Sequence, residues 1–325
     1  MELETSFMSF LLKHQQKHNR TLNFLILMES IMTAALQLSH VYQSAELART
    51  TGTTGDINLQ GEKVTKLDRF AHEIIEHHLT QSGQVLEATS EEEEEALKIN
   101  KDGRYFLYFD PLDGSSNVKH TLPVGFLFGI AKRSLDSDET FHLRKGRDYI
   151  AAGMFLIPSG QFTFALKGSG TWRFIKDPSG TYIRPHQVIL PNSEKSWELS
   201  WNVAHRKNFR DPVQEWIAAN EAKYAFRYCG SLAVDFHRLL NNGGMFFYPA
   251  ISQHSDASQN RPNGKLRLMY ESNVVAFLAE EAGGAAVTED GSPILDIEPK
   301  DRHQRSALYI GNKSLVNDIA GKLAK

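Results

Sequence analysis

The chain is predicted to adopt a layered α+β fold with two mixed sheets and interleaved helix layers, on three observations. The first part, to about residue 80, is patterned as helix: Leu22 to Val41 is strongly apolar, and Val64, Leu67, Ala71, Ile74 and Ile75 recur at helical spacing. From residue 105 the pattern changes to short apolar runs rich in β-branched and aromatic residues, separated by Gly and Pro. Helical patterns then return and alternate with strands. Blocks of this kind need stacked layers to bury both sheet faces. We place the junction near residues 185 to 200, with an N-terminal domain over 1–190 and a C-terminal α/β domain over 191–325.

Taken in order, Phe24 to Leu38 is too short a run, and too interrupted by Glu29, for a membrane span, and is read as a buried or interface helix. Thr50 to Asp56, rich in Gly and Thr, is expected to be a mobile loop. Val85 to Ala88 reads as a strand and Tyr105 to Phe109 as a buried strand. Val124 to Ile130, Ile150 to Ile157, Gln161 to Leu166 and Thr171 to Phe174 follow as further strands. Asp211-Pro212 reads as an N-cap with Pro at the first helical position, and Gln214 would complete a capping box. Leu232 to Leu240 is a helix ending at Gly243-Gly244, Met245 to Tyr248 a strand, and Val274 to Ala282 a helix stopped by Gly283-Gly284. The polar stretch 252–264 is expected to be an exposed loop.

With 325 residues, 41% of them hydrophobic and 23% charged, the chain can bury a substantial core and has the composition of an ordinary globular protein. A formal net charge of −3 gives no electrostatic reason to expect nucleic acid or an anionic membrane as partner. The single cysteine, Cys229, excludes an internal disulfide and points to a reducing compartment. No signal peptide is evident, so the expected location is cytoplasmic.

The most informative stretch is Phe109-Asp-Pro-Leu-Asp-Gly-Ser-Ser-Asn117. The chain is expected to leave a buried strand as Asp110 arrives. Pro111 would stop the ladder, and Gly114 would permit the positive φ that lets the Ser115 and Ser116 amides converge on an anion. Asp110 and Asp113 offer hard oxygens suited to Mg²⁺ or Mn²⁺. The bland alternative is a strand followed by a DG turn whose Asp and Ser satisfy their own backbone.

Three more stretches carry acids or bases in suggestive places. Asp68 shares a helical stripe with Val64, Ala71 and Ile75, where a carboxylate costs desolvation unless it is paired, protonated or bound to metal. Ser90-Glu91-Glu92 opens a run of five glutamates that by itself reads as a solvated face. Gly264-Lys-Leu-Arg-Leu-Met-Tyr-Glu271 by itself reads as an alternating strand with Lys265 and Arg267 facing water.

These motifs resemble those of the metal-dependent, lithium-sensitive phosphatase superfamily, and FDPLDGSSN points to its class I fructose-1,6-bisphosphatases. The likeness spans residues 55 to 311 and includes S-E-E after a strand, K-L-D at a helix start and G-K-L-R-L-x-Y-E. It implies a five-layer αβαβα fold and hydrolysis of the 1-phosphate of D-fructose 1,6-bisphosphate. It further implies two or three Mg²⁺ per subunit, with Mn²⁺ as an alternative, held by Glu62, Glu91, Asp110, the Leu112 carbonyl, Asp113 and Glu271. Asp68 and Glu92 would polarise the attacking water. Gly114, Ser115, Ser116, Lys265 and Arg267 would hold the transferred phosphoryl group, and Asn202, Tyr228 and Tyr248 the distal part of the substrate. Arg227 would reach a neighbouring subunit's site. The partner set implied is a small-molecule sugar bisphosphate and identical subunits in a homotetramer, a dimer of dimers, with no nucleic acid and no membrane.

Departures from the family pattern qualify these roles. Val203-Ala204-His205 stands where the family has Glu-Gly-Tyr, so that tyrosine's contact is lost or passes to His205. Glu62 replaces a common Asp. The family's nucleotide-binding helix start is here Thr21-Leu-Asn-Phe-Leu-Ile26, without the glycines that make an anion cradle. We therefore expect weak or absent inhibition by AMP; half-inhibition at micromolar AMP in a titration would refute this. A sedoheptulose-1,7-bisphosphatase or dual-specificity enzyme and an inactive metabolite-binding regulator are the competing functions.

Overall fold

The computed structural model describes residues 5–18, 22–44, 53–57, 63–133 and 143–324. The chain begins with α1 (Phe7–His18) and α2 (Leu22–Gln43), a short pair β1 (Thr53–Ile57) and β2 (Lys63–Thr65), then α3 (Lys66–Ser82). The first sheet follows with β3 (Val85–Ser90), β4 (Leu97–Lys98), β5 (Tyr105–Asp113), β6 (Val124–Lys132), β7 (Tyr149–Ile157), β8 (Gln161–Leu166), β9 (Thr171–Lys176) and β10 (Tyr182–Val188). Next come β11 (Glu198–Ser200), α4 (Asp211–Asn220), β12 (Ala225–Phe226), α5 (Leu232–Asn242), β13 (Gly244–Tyr248) and β14 (Leu266–Arg267). The chain closes with α6 (Asn273–Glu281), β15 (Ala285–Val287), β16 (Arg305–Ser306), β17 (Leu308–Gly311) and α7 (Lys313–Leu323).

Eight strands form a sheet ordered β10-β9-β8-β7-β6-β5-β3-β4, and five form a second ordered β12-β11-β13-β17-β15. Both are mixed: β3 runs parallel to β5 in the first, and β11 runs parallel to β12 and β13 in the second. Three apolar clusters define the layers. One packs α1, α2 and α3 on one face of the large sheet. A second fills the space between the sheets with α5 and α6, and a third seats α4 and α7 on the far face of the small sheet. The order is helix, sheet, helix, sheet, helix. Burial of both faces of the large sheet explains why β5 is buried at all nine positions and reads as an unbroken apolar run.

By length and composition α2 could cross a bilayer, with mean hydropathy 1.4, yet 56% of that stretch is buried inside the protein. It serves as a core helix, with Leu27, Met28 and Ile31 fully enclosed. Several local expectations are corrected. Val64 belongs to β2 and not to the helical stripe, because the helix starts at Lys66. Residues 53–56 of the expected Gly/Thr loop lie in β1, which pairs with β2. At α4 the N-cap is Arg210 without a side-chain cap; Gln214 donates instead to the Phe209 carbonyl, so no capping box forms.

Candidate active site

The large sheet positions most of the acids. Because β3 and β5 are parallel neighbours, with Ser90 opposite Phe109, both strands lead out at the same end of the sheet. The Glu91 amide donates to the Phe109 carbonyl at 3.2 Å, which sets Glu91 beside Asp110. Crevices at the carboxyl ends of parallel strands are where such sheets bind ligands. Pro111 does not end the ladder as the sequence suggested. Asp110 faces Leu127 and Asp113 faces Gly125, so Pro111 and Leu112 together oppose the single residue Phe126, and the strand continues through a one-residue bulge to Asp113. Bulges re-aim side chains, and this one carries Asp110 and Asp113 into the same cleft.

Each acid is held differently. Asp110 accepts from the Leu112 amide at 2.9 Å. Asp113 is capped by the N-terminus of α5: its carboxylate accepts from Ser231 Oγ at 2.6 Å and from the amides of Ala233 and Leu232 at 2.7 and 3.2 Å. The positive end of the helix thus faces its charge. Glu271 sits in a single π-helical turn, Leu268–Ser272, between β14 and α6, and accepts from the Arg267 amide. Such turns recur at functional sites. Arg267 does not face water as an alternating strand required: it is buried, whereas Lys265 is exposed.

Asp110, Asp113 and Glu271 are all buried, and one carboxylate oxygen of each lies within 4.8 Å of the others. Burial first, then the charges of Glu91, Asp113 and Glu271, push Asp110 well above its ordinary range. Burial also raises Asp113, opposed by its three hydrogen bonds. Burial and then Glu91 push Glu271 up to about 8. Carboxylates driven this close without a shared cation repel one another. Hard oxygens, three in number and converging, fit a divalent ion of the Mg²⁺ or Mn²⁺ type.

This cluster forms one wall of a cavity of about 190 Å³ that also takes in Asp68, Glu91, Glu92, Leu112, Gly114, Ser115, Ser116, Tyr228, Tyr248, Lys265 and Arg267. Asp68 reaches it from the first turn of α3, where it is buried as the apolar stripe demanded. Gly114 adopts φ 79°, ψ 32°, the left-handed conformation expected of it, and starts a short 3₁₀ turn through Ser115 and Ser116. Glu91 and Glu92 are half-buried while Glu93 to Glu95 are exposed, so only the first two of the five glutamates turn inward.

Three predicted positions stand apart. Glu62 lies outside the described residues. Asn202 does not line the cavity; its side chain accepts from the Ala204 amide at 3.1 Å as a cap. Arg227 is exposed and donates to the Phe226 carbonyl. His205 lies beside Tyr248, with ring centroids 6.4 Å apart, and burial followed by Lys265 keeps it below its ordinary range. Sequence reasoning missed Ser231, although the N-cap position before the Leu232 helix was a readable signal. It also missed Gly230, Leu232, Phe246 and Leu266 among the cavity residues.

The acid cluster makes pH and cation binding interdependent. A Glu271 carboxyl raised from 4.5 to about 8 binds its proton more tightly folded than unfolded. Its contribution to stability is therefore complete below about pH 4.5 and is lost as pH rises through 8, at up to roughly 1.4 kcal/mol per pH unit. Thermal unfolding in chelator should accordingly show a midpoint falling from pH 6 to pH 8. Mg²⁺ should restore it more at the higher pH and release protons as it binds, measurable by calorimetry in buffers of different ionisation enthalpy.

Acids that a cation must reconcile, beside a glycine-started serine turn and two basic residues, are the equipment of a phosphate-ester hydrolase on a layered α+β frame. The fructose-1-6-bisphosphatase N-terminal domain model matches residues 5–187 and the C-terminal domain model residues 191–323. The chain belongs to the fructose-1,6-bisphosphatase family. It is 54% identical over 325 residues to a fructose-1,6-bisphosphatase class 1 of Syntrophus aciditrophicus (strain SB), covering 98% of each chain. It is 40% identical to the class 1 enzyme of Chlorobaculum tepidum, covering 90% of this chain and 89% of that relative. The crystal structure of Leishmania major fructose-1,6-bisphosphatase in holo form matches with a TM-score of 0.89 at 28% identity, covering 99% of both chains.

Proposed function

We propose that the chain hydrolyses the 1-phosphate of D-fructose 1,6-bisphosphate to fructose 6-phosphate and phosphate. The observation that carries this reading is the buried Asp110, Asp113 and Glu271 cluster opening into a cavity shared with Ser115, Lys265 and Arg267. Asp110, Asp113, Glu271, Glu91 and the Leu112 carbonyl, with Glu62, would hold two or three Mg²⁺ ions. When bound these supply neutralisation of the phosphoryl and leaving oxygens. Asp68 and Glu92 orient the attacking water by accepting hydrogen bonds from it, and one of the two carboxylates takes up the single proton it loses. Amides and hydroxyls of the Gly114-Ser115-Ser116 turn, with Lys265 and Arg267, hold the phosphoryl oxygens in line for displacement. Tyr228 and Tyr248 donate to the distal end of the sugar phosphate, and burial holds the Tyr228 hydroxyl protonated. Direct attack by water forms no phosphoenzyme.

Asn202 belongs to the same distal end through the turn it caps, and His205 is the group placed to replace the missing family tyrosine. The exposure of Arg227 supports a role in a neighbouring subunit's site, which needs at least a dimer, and the family likeness extends this to a homotetramer of paired dimers. We further place the metal-binding half at 1–190 and substrate recognition at 191–325, and the enzyme in the cytoplasm. A phosphate-release assay with fructose 1,6-bisphosphate and sedoheptulose 1,7-bisphosphate, each with Mg²⁺, Mn²⁺ or chelator, tests the reading. Release from fructose 1,6-bisphosphate that chelator abolishes supports it, and preference for the seven-carbon substrate or no release overturns it. Arg227→Ala should raise KM for the bisphosphate about tenfold or more with little change in kcat, as loss of a charge-assisted contact does. A normal KM would show that the residue serves no substrate.

A further inference from the structure

His72 stands one turn after Asp68 on α3, so both side chains lie on the same helix face. It is 4% exposed, on a face otherwise filled by Ala71 and Ile75. Its ring stacks on Phe109, the residue before Asp110, with centroids 5.9 Å apart and planes 20° from parallel. Nδ1 lies 2.9 Å from Ser90 Oγ, which is itself fully buried and accepts from the Glu92 amide at 3.2 Å. Nε2 faces the carboxylates of Glu93 and Glu76 at 3.7 and 3.8 Å. Two carboxylates on that side favour the ring proton on Nε2. Nδ1 is then left to accept the Ser90 hydroxyl, whose oxygen is free to accept from Glu92.

From this chain of contacts we infer that His72 is a positioning residue for the Ser90–Glu92 turn, coupling the helix that carries Asp68 to the turn that carries Glu92. The inference rests on the proposed role of these two acids in orienting water. The turn has two described backbone anchors: the Glu91 amide on the Phe109 carbonyl, and the Glu92 amide on Ser90 Oγ. His72 acts on both, by stacking under Phe109 and by fixing the rotamer of Ser90. Without the imidazole the Ser90 hydroxyl loses its buried acceptor and swings, and the Glu92 carboxylate loses its fixed distance from Asp68. His72 touches no substrate. A misplaced orienting acid lowers the rate of the chemical step and leaves substrate binding alone.

The test compares phosphate release by wild type, His72→Leu, His72→Asn, His72→Gln, Ser90→Ala and the His72→Leu/Ser90→Ala double variant, each with its thermal midpoint. Asn places an amide where Nδ1 stands, whereas Gln reaches only the Nε2 side. The expected result is a kcat loss of roughly tenfold to a hundredfold in His72→Leu and Ser90→Ala, with KM within about twofold. The double variant should be no worse than the poorer single, since both break one linkage. His72→Asn should recover most of kcat and His72→Gln should not. If His72→Leu does not fold, Ser90→Ala and the Asn and Gln pair carry the same decision. Losses that multiply in the double variant, a kcat within twofold of wild type in Ser90→Ala, or equal activity of Asn and Gln would overturn it. Absence of phosphate release by the wild type would instead sink the proposed hydrolysis.

Discussion

Asp110→Asn is expected to lower kcat for phosphate release about a thousandfold while raising the thermal midpoint of the cation-free protein at pH 8. The two halves of that result come from one charge. Asp110 is buried, and its ionised form is opposed by burial and by Glu91, Asp113 and Glu271. Asparagine keeps an oxygen to accept from the Leu112 amide, so the bulge it stabilises survives. Removing the charge relieves repulsion in the cation-free state but weakens the proposed cation site where the transition state needs charge compensation, a loss on the order of 3–4 kcal/mol. A residue with a merely structural role would lower activity and stability together. Measuring kcat at saturating Mg²⁺ and the unfolding midpoint in chelator on the same preparation decides it, and a variant that is both active within tenfold and less stable would remove Asp110 from the metal site. Asp113 is a poorer probe, because its carboxylate also caps α5 through Ser231, Leu232 and Ala233.

Gly114→Ala is expected to cost roughly 2–5 kcal/mol of stability and at least a hundredfold in kcat. The backbone at 114 is left-handed, which an L side chain adopts at a cost of about 1–2 kcal/mol. A Cβ there would also stand 2.5 Å from the Ser231 Cβ and 3.0 Å from its Cα. The neighbour is the N-cap residue of α5, and the contact is with its Cα and Cβ, which cannot rotate away, so α5 must shift, at an overpacking cost of about 1–3 kcal/mol. Because Ser231 donates to Asp113, the shift is transmitted to the acid cluster, and misplacement of about 1 Å can cost a hundredfold in rate. Denaturant unfolding and kcat with Mg²⁺ measure the two effects. Wild-type values for both would mean that the turn is not the rigid cradle described.

Much of this was legible before any coordinates. Asp68 on an apolar stripe had to be paired, protonated or bound to metal, and it is buried against the cavity. The positive φ of Gly114 followed from the need for a tight turn between Asp113 and Ser115. The five glutamates could be divided correctly only with help from the family pattern, since periodicity does not say where a strand end turns inward. Other features failed for definable reasons. Proline removes a donor, which predicts a strand end at Pro111, yet a bulge absorbs that loss and the ladder resumes at Asp113. Asp211 and Gln214 have the spacing of a capping box, but the helix takes its cap one residue earlier and Gln214 finds a nearer carbonyl. His72 reads as one more residue on a mixed helix face, and its partner Ser90 lies eighteen positions away.

The sequence by itself determined the inventory: which carboxylates exist, where the principal helices and strands of the large sheet lie, and where a chain reversal admits an anion, because these depend on side-chain chemistry and local backbone preference. Only the tertiary structure decided which groups meet. The parallel pairing of β3 with β5, the bulge at Pro111 and the docking of α5 on Asp113 are long-range events, set by how the sheets and helices bury their apolar faces. Those events convert separated acids into one cluster whose mutual repulsion calls for a cation.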